Sequence, residues 1–270
     1  MKNLITAIIL FFSVLISYSC SQSKYAATNK SYKKQAKKYA GILAQYPLKD
    51  SLAMAKDWVG TTNFSMRRPN FVIIHHTAQN SCEQTLQTFT LARTQVSSHY
   101  VICRDGTIFH MLHDLLRGHH AGVSKWGNTT DLNSTSIGIE LDNNGFEPFA
   151  EAQTASLAQL LDNLKRAYNI PAANFIGHGD IAPTRKNDPN WQFPWKTFSE
   201  KGFGLWWSDT TNVIVPENFN YLNAIRIVGY DLKDTTAAII GFKRHFLMDT
   251  TKGMTPEALK VLYQLHKKYL

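Results

Sequence analysis

An α/β domain followed by a small all-α module is the fold the sequence predicts, and three features of the 270-residue chain predict it. Between Asp50 and Asp209, short apolar runs bounded by turn residues alternate with segments of helical spacing. From residue 210 to Leu270 the strand signals stop and three helical segments follow one another. The composition, 44% hydrophobic and 12% aromatic, supplies a sizeable core and excludes a largely disordered chain.

The first residues read as a processing segment. Lys2 precedes an almost continuous apolar run from Leu4 to Ile16, and small residues in SYSC lead to Cys20. The run is too short for a comfortable membrane span. Residues 1–19 resemble a bacterial lipoprotein signal with Cys20 as the lipidated residue, although Ser17 stands where leucine is usual. A plain secretory signal is the alternative. Either implies export, and Ser21 after the cysteine implies sorting to the outer membrane, facing the periplasm.

Residues 20–49 form a basic arm. Lys24, Lys30, Lys33, Lys34, Lys37 and Lys38 meet no acid between Ser21 and Leu48, and helical spacing runs to Tyr46 before Pro47 breaks it. The net charge of +9 is compatible with an anionic partner. No aromatic-interleaved basic motif accompanies it, so nucleic acid is disfavoured and a solvated arm near the wall or membrane is expected.

Phe71 to His76 reads as a buried strand and Glu83 to Arg93 as a helix, with Ser81 and Gln84 as a capping box. His99–Cys103 and Thr107–Leu112 flank an Asp-Gly turn, a hairpin. In Ser136 to Asp142, Ile137, Ile139 and Leu141 face one side and Glu140 the other. A leucine stripe makes Thr154–Tyr168 a helix, Asn174–Gly177 suggests a strand, and three prolines make 178–195 a loop. Phe219–Val228, Thr235–Met248 and Thr255–Leu270 are the three helices of the final module. Cys82 and Cys103 remain as an exported pair whose bonding distance no sequence can supply.

Three motifs carry chemistry: FVIIHHTA (71–78), SIGIEL (136–141) and GHGDIAPTRKNDP (177–189). Together they offer imidazoles (His75 or His76, and His178), a carboxylate (Asp188), a second acid (Glu140) and Lys186. That inventory suits a catalytic zinc site, in which three protein ligands leave one position for water. His75 and His76 point to opposite faces of their strand, and spacing does not say which is inward. Taken singly, each residue is as well explained as ordinary structure: Asp188 as a turn residue, Lys186 as a surface charge.

Taken in order with VSSHYVICRDGTIFHML, HHAG and LNSTSIGIEL, the motifs resemble the type 2 N-acetylmuramoyl-L-alanine amidase family. That family includes phage lysozyme amidases, peptidoglycan recognition proteins and the lipoprotein amidase AmiD. The resemblance spans nearly all of the 50–209 domain and implies a central mixed sheet flanked by helices around an open groove. By it, zinc is held by His75, His178 and Asp188, Glu140 is the catalytic acid/base and Lys186 steadies the transition state. His120 and Asn133 are implied to line the substrate groove.

The final helices, through GFKRHF (241–246), resemble a small peptidoglycan-binding module. Peptidoglycan or muropeptides are the implied partner of a monomeric enzyme. DPNWQFPW (188–195) departs from the family's usual DPGP, which puts the groove rim at Asn190 and Trp191 in question. Two other readings compete: a non-catalytic wall-binding lipoprotein, and a cysteine peptidase using Cys82.

Overall fold

The computed structural model describes residues 23–45 and 61–269, in two compact units, Met1–Phe64 and Ser65–Leu270. The expected signal segment, Cys20 and the break at Pro47 lie outside the described residues. In the first unit, helix α1 (Ala26–Leu43) matches the expected helical arm and has no buried residue. No described helix is long and apolar enough to cross a membrane.

The second unit is built on strands β1 (Phe71–His76), β2 (Tyr100–Ile102), β3 (Ile108–His110), β4 (Ser136–Leu141) and β5 (Phe175–Gly177). Their order is β3-β2-β4-β1-β5, with β3 antiparallel to β2 and every other pair parallel, so the sheet is mixed. β1 lies inside the sheet between β4 and β5 and all six of its residues are buried, which explains its continuous apolar run.

Helices of this unit are α2 (Cys82–Thr90), α3 (Leu132–Thr135), α4 (Glu151–Tyr168), α5 (His178–Ile181), α6 (Trp195–Glu200), α7 (Tyr221–Val228), α8 (Thr235–Leu247) and α9 (Pro256–Tyr269). Ser81 caps α2 by accepting the Gln84 N–H, as its sequence suggests. The segment after Gly177, expected as loop throughout, begins instead with the single turn α5. Asp180 makes that turn by accepting the Gly177 N–H at 2.8 Å.

Each face of the sheet has its own core. Val72, Ile74, Ile137, Ile139 and Leu141 pack under the leucine stripe of α4, joined by Phe193, Trp195 and Phe198. On the other face, Phe71, Ile73 and Ile176 pack with Ile225 and Val228 of α7, Phe242 and Phe246 of α8, and Leu262 and Leu265 of α9. Each such side chain contributes about 1.5–3 kcal/mol on burial. The three C-terminal helices therefore share one core with the sheet.

Candidate metal and catalytic site

Register on the sheet settles which face carries the chemistry. β1 and β4 pair so that His75 lies beside Glu140, and both project from the face opposite Ile74 and Ile139. His76 turns the other way, against the loop at Gly145.

His178 opens α5 directly after β5, and Asp188 follows ten residues later on the returning loop. Gly179 N–H donates to the Asp188 carbonyl at 2.6 Å, tying the loop to the turn. As a result His75 Nδ1, His178 Nδ1 and Asp188 Oδ2 form a triangle with every edge 3.0 Å. All three residues are buried.

Hydrogen bonding assigns the tautomers. His178 Nε2–H donates to the Ala121 carbonyl at 3.2 Å, which leaves Nδ1 bare. Ser136 directs its hydroxyl to the Leu132 carbonyl, His120 Nε2–H donates to Ser136 Oγ at 3.3 Å, and His75 Nε2–H donates to His120 Nδ1 at 3.1 Å. His75 Nδ1 is therefore bare as well. Two imidazole lone pairs and a carboxylate oxygen converge with no proton between them. That donor set fits a small divalent cation such as zinc.

Electrostatics agree. Burial, reinforced by His178, lowers His75 to about 4, so the ring is neutral. Burial and the neighbouring histidines hold His120 well below its usual range. Burial alone would raise Asp188, but the close approach of His178 and His75 outweighs it and holds the carboxyl well below its usual range. Glu140 goes the other way: burial, with Asp188 adding, raises it to about 8 against the opposing charge of Lys186. Its Oε1 stands 3.9 Å from His75 Nδ1, and its buried Oε2 has no hydrogen-bond partner among the described residues.

Two adjoining hollows open over this centre. One, of about 350 Å³, is lined by His75, Glu140, His178, Lys186 and Asp188, with Thr85, Thr88 and Phe89 of α2 as a wall. The other, of about 380 Å³, is lined by His120, Asn133, Arg117, Arg185 and Lys186. His75, His120, Asn133, Glu140, His178, Lys186 and Asp188 thus line these two hollows.

Two of them do more than line a groove. His120 Nδ1 accepts from His75 Nε2–H, and Asn133 Oδ1 accepts the N–H groups of His120 and Ala121 at 3.0 and 2.8 Å. Spacing carries no signal of those roles. Gly138 is required beneath: a Cβ there would lie 2.4 Å from His120 Cγ. Asn190, at the departure from the usual loop, is buried and bonds Asn143 Oδ1 and the Glu147 carbonyl, while Trp191 is exposed, and neither lines the two hollows. Cys82 is bonded to Cys103, so it offers no free thiol for a cysteine-peptidase mechanism.

The chain matches the Amidase_2 family, described as N-acetylmuramoyl-L-alanine amidase, over residues 65–191, which include all of the residues above. It is 32% identical over 211 residues to the N-acetylmuramoyl-L-alanine amidase AmiD of Escherichia coli strain K12, covering 66% of this chain and 75% of AmiD. The structure of E. coli AmiD with the substrate anhydro-N-acetylmuramic acid-L-Ala-D-gamma-Glu-L-Lys superposes with a TM-score of 0.67 at 28% identity, over 78% of this chain and 93% of AmiD's. AmpDh3 of Pseudomonas aeruginosa, in complex with anhydromuramic pentapeptide, gives 0.68 at 28% identity, over 81% of this chain and 99% of its own.

Proposed function

Since the chain belongs to the N-acetylmuramoyl-L-alanine amidase family, we propose that it is a zinc hydrolase of the amide joining N-acetylmuramic acid to L-alanine in peptidoglycan or muropeptides. The observation that carries this reading is the triangle of His75, His178 and Asp188 beside Glu140 at the floor of a groove. AmiD and AmpDh3, which bind anhydromuramyl peptides, support the substrate class.

Held by those three residues, zinc supplies Lewis acidity toward the scissile carbonyl and the attacking water. Glu140 takes the water proton on its carboxylate as the new C–O bond forms. It then passes that proton to the alanyl nitrogen as the C–N bond breaks, so the products are a free carboxylate and a free amine. A carboxyl raised by burial holds a proton well enough to deliver it. Lys186 donates to the tetrahedral oxyanion from the exposed side of the groove. His120 keeps His75 in the tautomer that presents Nδ1.

The apolar start, Cys20 and the lysines of the arm support an exported lipoprotein anchored by Cys20 in the outer membrane and facing the wall. Incubation of the zinc-loaded protein with purified sacculi and with soluble muropeptides, read by mass spectrometry, tests the activity. Free stem peptides beginning with L-alanine are expected. A chelator should abolish their release and thiol alkylation should not. Binding to sacculi without any release would establish the non-catalytic wall-binding reading instead.

A further inference from the structure

Every residue of the segment Gly241 to Phe246 is buried, including Lys243, Arg244 and His245. Lys243 is satisfied by Asp249 and Thr251 in the connection from α8 to α9. Arg244 and His245 instead reach out of α8 to the turn that carries His178.

Asp180, two residues after His178, is the receiving group. Its Oδ1 accepts from the Tyr230 hydroxyl at 2.8 Å, and its Oδ2 accepts from His245 Nδ1–H at 2.7 Å and from Gly177 N–H at 2.8 Å. Arg244 Nη2 donates to the Gly179 carbonyl at 2.7 Å. The Gly179 N–H in turn holds the Asp188 carbonyl. A Cβ at Gly179 would fall 2.2 Å from Arg244 Nη2, so the guanidinium lies directly against bare backbone.

The His245 ring is fixed in its own right. It stacks on Trp195 with centroids 3.9 Å apart, and its other nitrogen is buried with no hydrogen-bond partner among the described residues. Only the Nδ1–H tautomer satisfies Asp180. Apolar side chains would glue a helix to this surface at lower desolvation cost. A hydrogen-bonded polar cluster fixes orientation as well: it grips the backbone on both sides of His178 and, through Gly179, reaches the backbone of Asp188.

We propose that Tyr230, Arg244 and His245 are positioning residues of the metal site, acting through Asp180 and Gly179 to keep His178 and Asp188 at coordinating separation. The C-terminal helices are then a structural part of the catalytic centre. This rests on reading His75, His178 and Asp188 as the metal ligands.

The test is zinc affinity, measured by competition with a chromophoric chelator on the full chain, together with circular dichroism. Tyr230→Phe and His245→Ala should weaken zinc binding by about 10- to 100-fold while the spectrum stays folded. His245→Asn, which keeps a donor near the Nδ1 position, should recover most of the loss. Leu262→Ala, elsewhere in the same helices, should lower Tm and leave zinc affinity unchanged.

Affinity within about twofold of wild type in folded Tyr230→Phe and His245 variants overturns the proposal. So does an equal loss in Leu262→Ala, which would mark general destabilisation. Should His245→Ala fail to fold, Tyr230→Phe carries the comparison alone. A wild-type protein that binds no zinc overturns the metal-site reading and this inference with it, whereas wild-type binding with unmoved variants overturns this inference alone.

Discussion

His75 and Glu140 are register partners on parallel strands, with Nδ1 and Oε1 3.9 Å apart on the same side of the sheet. The ladder that pairs β1 with β4 sets that separation, so the Glu140 carboxyl is placed by backbone hydrogen bonds. A site built this way on two central strands is rigid before any ligand arrives.

Removing the Glu140 carboxylate should therefore separate metal binding from turnover. Glu140→Ala should hold zinc at wild-type stoichiometry while stem-peptide release falls roughly 100- to 10,000-fold. Metal analysis and muropeptide hydrolysis on one preparation check this. Wild-type turnover in a metal-loaded variant would remove Glu140 from the mechanism.

Gly138 is the next most sensitive position on β4. In Gly138→Ala the new methyl would sit 2.4 Å from His120 Cγ, and the ring has to shift from the position in which it bonds His75. Overpacking of this kind costs about 1–3 kcal/mol. A lower midpoint in urea and weaker zinc retention together are the expected result. A change in stability with zinc retention unmoved would show that His120 does not govern His75.

Acid should destabilise the fold through His99. Its Nδ1 accepts the Gly138 N–H at 3.1 Å while Nε2–H donates to the Leu116 carbonyl at 3.0 Å, an arrangement only the neutral ring allows. Burial lowers its pKa to about 4, with Arg67 and His110 in the same sense and the Leu116 carbonyl and Asp114 opposing. The folded value is depressed, so between pH 6.5 and 4 the unfolded chain takes up a proton that the folded chain refuses. Stability is full above the unfolded pKa and falls as pH drops through this window, on the order of 3 kcal/mol from this group. Denaturant midpoints at stepped pH should show the decline, and His99→Gln should flatten it.

The bond between Cys82 and Cys103 joins the start of α2 to the β2–β3 hairpin across 21 residues. Closing a loop of that length stabilises the fold by about 3 kcal/mol through the unfolded state. Since α2 walls the groove, reduction should lower Tm and loosen substrate binding, read as a rise in KM larger than the fall in kcat. Equal Tm with and without reductant would count against it.

Sequence by itself determined the local elements and the chemical inventory. The apolar run at 71–76, the alternation at 136–142, the leucine stripe of α4 and the caps of the final helices each follow from side chains a few positions apart, and local periodicity encodes them. The order of the motifs, through the family resemblance, likewise pointed to His75, His178, Asp188, Glu140 and Lys186.

Tertiary structure alone decided what depends on partners distant in the chain. Period-two alternation says His75 and His76 face opposite ways but assigns neither to a face; pairing of β1 with β4 and the covering helices does that. The support of His75 by His120, the close approach at Gly138 and the grip of Tyr230, Arg244 and His245 on Asp180 and Gly179 join segments from 18 to 65 residues apart. Such contacts arise from packing, and no spacing rule in the chain records them.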